Sequence, residues 1–210
     1  MDRIKKKILS LGAMVEERVH LANQAINATD AEIARKITQS DHEIDAMEVE
    51  IEEECLKVIA LHQPVAVDLR FLVAVIKINN DLERIGDQAV NVAQRVLSIS
   101  SAKQRHFYFD YNRMAEKAKA MLKMSLDALV NLDIDIAFKV LQLDDEVDDI
   151  KHTAYDKIKA EMKSPRDDVG YLINLLLISR HLERVADHAT NISEEIIYMI
   201  EGEIVRHGKY

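Results

Sequence analysis

The sequence has 210 residues, 48% of them hydrophobic and 31% charged, which is enough apolar side chain for a sizeable core; five glycines, two prolines and no tryptophan argue against a strand-and-turn architecture and for long helices. A formal net charge of −9, with no run of Lys or Arg longer than Lys5-Lys6-Lys7, disfavours recognition of a nucleic-acid backbone, which needs a concentrated basic face, and favours cations as partners. Cys55 is the only cysteine, which excludes an intrachain disulfide and a thiolate metal site of the zinc-finger kind and suits the reducing interior of a cell.

Apolar residues recur with helical period along the chain. Ile4, Ile8, Leu11, Val15, Ala22 and Ile26 predict a first amphipathic helix that closes near "NATD", where Thr29 and Asp30 can cap the next one. A second helix carries Ile33, Ile37, Ile44, Met47, Ile51, Cys55 and Val58 on one face. It stops at "HQP" (62–64), since the residue before a proline is pushed out of helical geometry. A third runs over about 67–98. The stretch "SISSAKQRH" reads as a linker, after which three more helices follow at about 108–131, 134–163 and 166–201, with "KSP" (163–165) as the matching break. The N-terminal "MDRIKKKILSLGAM" lacks the apolar region of a secretory leader, and apolar runs such as "FLVAVI" and "LLLI" are too short to span a bilayer. A cytoplasmic protein that meets a membrane only through its partners is the expectation.

The two halves are copies. Setting 68–96 against 168–196 gives identity at Asp68, Leu72, Ile78, Leu82, Glu83, Arg84, Asp87, Ala89 and Asn91, nine of 29 positions, where chance gives roughly two. The third helix of each copy also holds a strict 4-3-4-3 stripe. Phe71, Val75, Ile78, Leu82, Ile85, Ala89, Val92 and Val96 form one, and Tyr171, Leu175, Ile178, Leu182, Val185, Ala189, Ile192 and Ile196 the other. Such a seam is the packing face of a helical bundle. The expected fold is all-α, with two tandem three-helix bundles over 1–103 and 104–210.

Beside each seam lie carboxylates. Glu83 and Asp87 are one turn apart and about 100° around the helix from the seam. On the second helix Asp41, Asp45, Glu48 and Glu52 repeat at 4-3-4 spacing, and Asp144 and Asp148 take the corresponding places in the second copy. In a helical hairpin, residues equidistant from the turn stand level. Asp45 and Glu83 are each 19 residues from Pro64, and Asp41 and Asp87 each 23. Asp148 with Glu183 and Asp144 with Asp187 centre likewise on Pro165. Each set lies roughly 28 Å along its hairpin. Four carboxylates gathered beside a core repel unless protonated or neutralised, and an all-oxygen set suits Mg, Ca, Mn or Fe. The plainer alternative is an ordinary ion pair, for instance Asp87 with Arg84. His181 and His188 flank the second motif, either as further ligands or as solvated side chains. Glu17-x-x-His20 is the sole Glu-x-x-His, whereas a bundle-type di-metal oxidase needs two on different helices. Neither a phosphate loop nor a nucleophile elbow is found.

The stretches "GAMVE" (12–16), "DHEIDAMEVEIEEEC" (41–55), "QPVAVDLR" (63–70), "LERIGDQAVNVA" (82–93) and "LERVADHATNI" (182–192) together resemble the PhoU family of phosphate-signalling regulators, end to end. The resemblance implies two three-helix bundles whose [Glu/Asp]-x-x-x-Asp motifs hold a multinuclear metal cluster, iron first, with Mn, Ni, Mg or Zn as alternatives. It further implies a non-enzymatic repressor of the phosphate-starvation response, an adaptor between the phosphate ABC transporter ATPase and a membrane sensor kinase, acting as a homodimer. The implied metal residues are Asp41, Asp45, Glu48, Glu83 and Asp87 in the first copy and Asp144, Asp148, Glu183 and Asp187 in the second, with Asn91 and Asn191 one turn further on. The second copy departs from the pattern at Val185-Ala186 and where Lys151 and Tyr155 replace Glu48 and Glu52, which leaves fewer carboxylates there, with Asp145, Asp149 and His188 as the residues that could compensate. From another functional class, a carboxylate-bridged di-metal redox protein is the competing expectation.

Overall fold

The computed structural model describes residues 1–40, 42–101, 107–163 and 168–205. Among them are seven α-helices and no strand: α1 (Asp2–Ala28), α2 (Ala31–Gln39), α3 (His42–His62), α4 (Ala66–Ser100), α5 (Asn112–Asn131), α6 (Ile134–Glu161) and α7 (Val169–Glu201). The first bundle is α1, α2 with α3, and α4; the second is α5, α6 and α7.

Matching corners open the two copies. Thr29 ends α1 in the left-handed region (φ 49°), and Asp30 caps α2 by accepting from the Glu32 and Ile33 amides at 2.7 and 3.1 Å. Leu132 (φ 52°) and Asp133, accepting from Ile136 N at 3.1 Å, do the same between α5 and α6. At the first proline turn Gln63 and Ala66 both take φ of 47°, which reverses the chain from α3 into α4. The second, Pro165, lies outside the described residues.

Three boundaries differ from those expected. The second helix of the first copy is two pieces, α2 and α3, interrupted at Ser40. There the buried Arg18 of α1 donates from Nη2 to the Ser40 carbonyl, giving a partner to a group that a continuous helix would have bonded internally. Helix α4 continues through Ser98, Ile99 and Ser100 because Ile99 extends the buried seam by one more turn, so these three residues are not linker. Helix α5 begins at Asn112 rather than 108, since Phe109 and Tyr111 enter the core with ring centroids 4.8 Å apart. The Tyr111 hydroxyl donates to Leu175 O at 2.5 Å. The expected domain boundary between 103 and 104 lies outside the described residues.

Of the sixteen seam positions fourteen are buried; Phe71 and Tyr171, at the start of each stripe, are half-buried. Helices α4 and α7 cross antiparallel and pack against each other, so the two bundles share one continuous core. No helix among the described residues is long and apolar enough to cross a membrane.

Candidate metal faces

The register of the first hairpin is fixed by Asn79 of α4, fully buried, whose Nδ2 donates to the Glu48 carbonyl at 2.9 Å and to Glu48 Oε1 at 3.3 Å. Glu48 is 16 residues before Pro64 and Asn79 is 15 after it, the register that sets Asp45 level with Glu83. Gly86 lets α3 come close: a Cβ there would stand 3.1 Å from Ile44 Cδ1. Asp41 lies outside the described residues.

These carboxylates feel one another. Glu83 is pushed above the usual carboxylate range by partial burial and then by Asp87, with Asp45 and Glu48 adding to the rise. Asp87 is raised by burial and by Asp45, while Arg84 and Arg18 pull it down; Glu48 is raised by burial, Glu52 and Asp45. Arg84 Nε stands 3.6 Å from Glu83 Oε2, so Arg84 sits with Glu83 rather than with Asp87. Among the described residues no Lys, Arg or His comes within 4.0 Å of a carboxylate oxygen of Asp45, Glu48 or Asp87. Asn91 is half-buried one turn beyond Asp87. Glu48 and Glu52 also line a cleft of about 490 Å³ between the bundles, with Lys77, Asn80, Asp81 and Asn191.

The second face is arranged differently. Asp144 is raised by burial and then by Asp148, Asp145 and Glu183. Asp187 is pushed up to about 6 by burial, Glu183, Asp144 and Asp148. All four level-paired carboxylates therefore share one neighbourhood. Here, however, a cation is present: Lys151 Nζ stands 2.9 Å from both Asp148 Oδ1 and Glu183 Oε1.

As placed, no three His, Cys, Asp or Glu side chains among the described residues stand close enough together to hold a metal ion. The first face fits a hard cation by its chemistry, all-oxygen donors with raised affinity for positive charge and no basic side chain on three of the four described carboxylates. The second face already holds an ammonium.

Both candidate histidines serve the seam between bundles. His188 Nδ1 is 2.8 Å from Asp81 Oδ1 and His181 Nδ1 is 2.9 Å from Gln88 Oε1, both partners being on α4. Asn191 donates to the same Asp81 Oδ1 at 3.2 Å. His181, half-buried near Arg95, Arg184 and Arg180, is held down at about 4 by burial and these charges. His20 is bonded to Gln24 and Lys119, each at 3.1 Å, so the lone Glu-x-x-His gives no support to a di-metal redox centre. Sequence reading missed the inter-bundle contacts of Asp81, Gln88 and Lys77, the last paired with Glu195 at 3.1 Å. Their only sequence signal was polar residues repeating on the flank opposite Glu83.

A pH dependence follows. A carboxyl whose folded pKa is raised holds its proton more tightly in the folded than in the unfolded chain, so it subtracts stability as pH rises through the interval between the two values. For Asp187 that interval runs from 3.8 to about 6. Asp187→Asn should therefore flatten the fall in urea midpoint between pH 4 and pH 6.5; an unchanged slope would show that Asp187 is not destabilised by its neighbours.

The sequence profile of the PhoU domain matches residues 8–96 and 111–196, one match on each bundle. The chain is 36% identical over 205 residues to the phosphate-specific transport system accessory protein PhoU homolog of Synechocystis sp., covering 96% of this chain and 90% of that protein. With the Aquifex aeolicus protein of the same description it shares 35% over 207 residues, covering 99% and 94%. The crystal structure of PhoU from Pseudomonas aeruginosa matches with a TM-score of 0.92 at 32% identity, over 96% of this chain and 97% of that one.

Proposed function

The chain belongs to the PhoU family, and from that premise we propose that it represses phosphate uptake and the phosphate-starvation response. It does so as a cytoplasmic adaptor between the ATPase of a phosphate ABC transporter and a membrane sensor kinase, working as a homodimer without contacting nucleic acid and meeting the membrane only through those partners. The observation that supports this reading best is the end-to-end likeness to proteins described as accessory to phosphate-specific transport. Catalysis has no part in it. An accessory protein of this kind needs surfaces that dock and report, and two acidic faces flanking rigid helices offer them.

Metal uptake belongs to the same reading. At the first face Asp45, Glu48, Glu83 and Asp87, with Asp41 and Asn91, would hold a cluster of iron, or of Mn, Ni, Mg or Zn, which would supply the positive charge that these carboxylates lack. Positions beside the seam rather than in it let such ligands move without disturbing the core.

Deleting the gene from its host is expected to raise alkaline phosphatase and high-affinity phosphate uptake in phosphate-rich medium, and the intact gene supplied in trans should restore repression. Reporter levels that stay at the parental value in the deletion strain would refute the regulatory reading.

A further inference from the structure

We propose that Lys151 occupies the second acidic face as a covalently tethered cation, so that the second bundle takes up no metal there and the chain carries a single metal face. This rests on the metal reading of the first face and adds to it a difference between the two copies.

The geometry is specific. One ammonium lies at hydrogen-bond distance, 2.9 Å, from each member of the level pair Asp148 and Glu183. The Lys151 and Glu183 side chains are only 23% and 22% exposed, so that contact is partly shielded from water, while Asp148 is 44% exposed. Lys151 sits three residues after Asp148, as Glu48 sits three after Asp45. The position that adds a carboxylate to the first face thus adds a positive charge to the second. Tyr155 likewise stands where the first copy has Glu52. At these two positions the second face loses two acidic groups and gains a cation, a change of three charges, against which Asp145, where the first copy has His42, adds one carboxylate beside Asp144.

An incoming divalent ion would have to break two charge-assisted hydrogen bonds and approach a like charge in a half-buried place, where screening is weak. The ammonium, unlike a metal, is present at every metal concentration. Consequently the second face keeps its shape in chelator, and only the first responds to supply.

The test uses the full chain, stripped of metal and titrated with Mn(II), with bound metal read by electron paramagnetic resonance and melting followed in chelator. Glu83→Gln with Asp87→Asn should remove all Mn(II) uptake, because no second site remains. Lys151→Glu, which writes the first copy's residue type into the second, should add Mn(II) binding that persists in that double variant. Lys151→Met, which keeps the length and removes the charge, should melt lower in chelator by about 2–4 °C. Retention of about half the wild-type Mn(II) by the double variant would overturn the proposal, as would Lys151→Met melting with wild type. A wild type that binds no Mn(II), with Lys151→Met still melting lower, would sink the metal reading of the first face and leave the tethered-cation role of Lys151 supported.

Discussion

Glu83→Gln together with Asp87→Asn is expected to abolish the metal uptake proposed for the first face and at the same time to raise the melting temperature of the metal-free protein. The two effects have one origin. Both carboxyls are pushed up by partial burial, Glu83 next by Asp87, and both by Asp45. When ionised they work against the fold, and a neutral amide of the same shape relieves that repulsion. Between partly exposed carboxylates the relief is on the order of 1 kcal/mol, worth about 2–4 °C for a chain of this length. Bound cation reverses the sign for the wild type, whose melting temperature should climb with added Mn(II) or Fe(II) while that of the variant does not move. Calorimetric melting with and without chelator, beside elemental analysis, checks both halves. A variant that melts lower than wild type in chelator would mean that these carboxylates stabilise the fold, and the case for a cation-seeking face would fall.

A larger loss is expected from Leu82→Ala. Leu82 is fully buried at the middle of α4, the helix against which α1, α2, α3 and α7 all pack. Truncation there opens a cavity in the seam of α4, within the core that runs through both bundles. A cost of about 2–5 kcal/mol is expected, which is on the order of 10 °C in melting temperature. Leu69, on the same helix but 38% exposed, supplies the contrast: Leu69→Ala should stay within about 0.5 kcal/mol. Urea unfolding of the two variants would decide, and a Leu82→Ala cost below 1 kcal/mol would contradict a shared core. The same variant should shift the transitions seen by circular dichroism and by the fluorescence of the six tyrosines together, because one core has one transition.

Much of this was written locally and so could be read from the chain. The seams of α4 and α7 obey a fixed period, Asp30 stands where a cap is needed, and a proline-centred hairpin sets Asp45 level with Glu83 by counting alone. The features that escaped are tertiary. Nothing in the period of Ile37, Ile44 and Ile51 interrupts a helix at Ser40; the interruption is supported by Arg18, 22 residues earlier in the chain. A helix was expected from about 108, yet α5 begins only after its N-cap Tyr111, whose hydroxyl reaches Leu175 on another helix. His181 and His188 lie beside the acidic motif in sequence, and only the packing of α7 on α4 decides that their Nδ1 atoms meet Gln88 and Asp81. Lys151 was visible as an altered residue, but its reach to two carboxylates at once needed coordinates.

The crossing of α4 and α7 has a consequence for how such a protein diversifies. Asp81 meets His188 and Gln88 meets His181, and these contacts exchange places when 100 is added to the α4 positions and subtracted from the α7 positions. That is the reciprocal rule of a two-fold interface between identical subunits, written here inside one chain. Between identical subunits every substitution strikes both contacts together, so an acid at one place appears twice and the pair cannot be made unequal. Fusion removes that constraint. One contact has become an acid against an imidazole while its mirror image joins an amide to an imidazole, and one acidic face keeps Glu48 while the other has acquired Lys151. Covalent linkage thus lets mutation act on half of a symmetric design at a time.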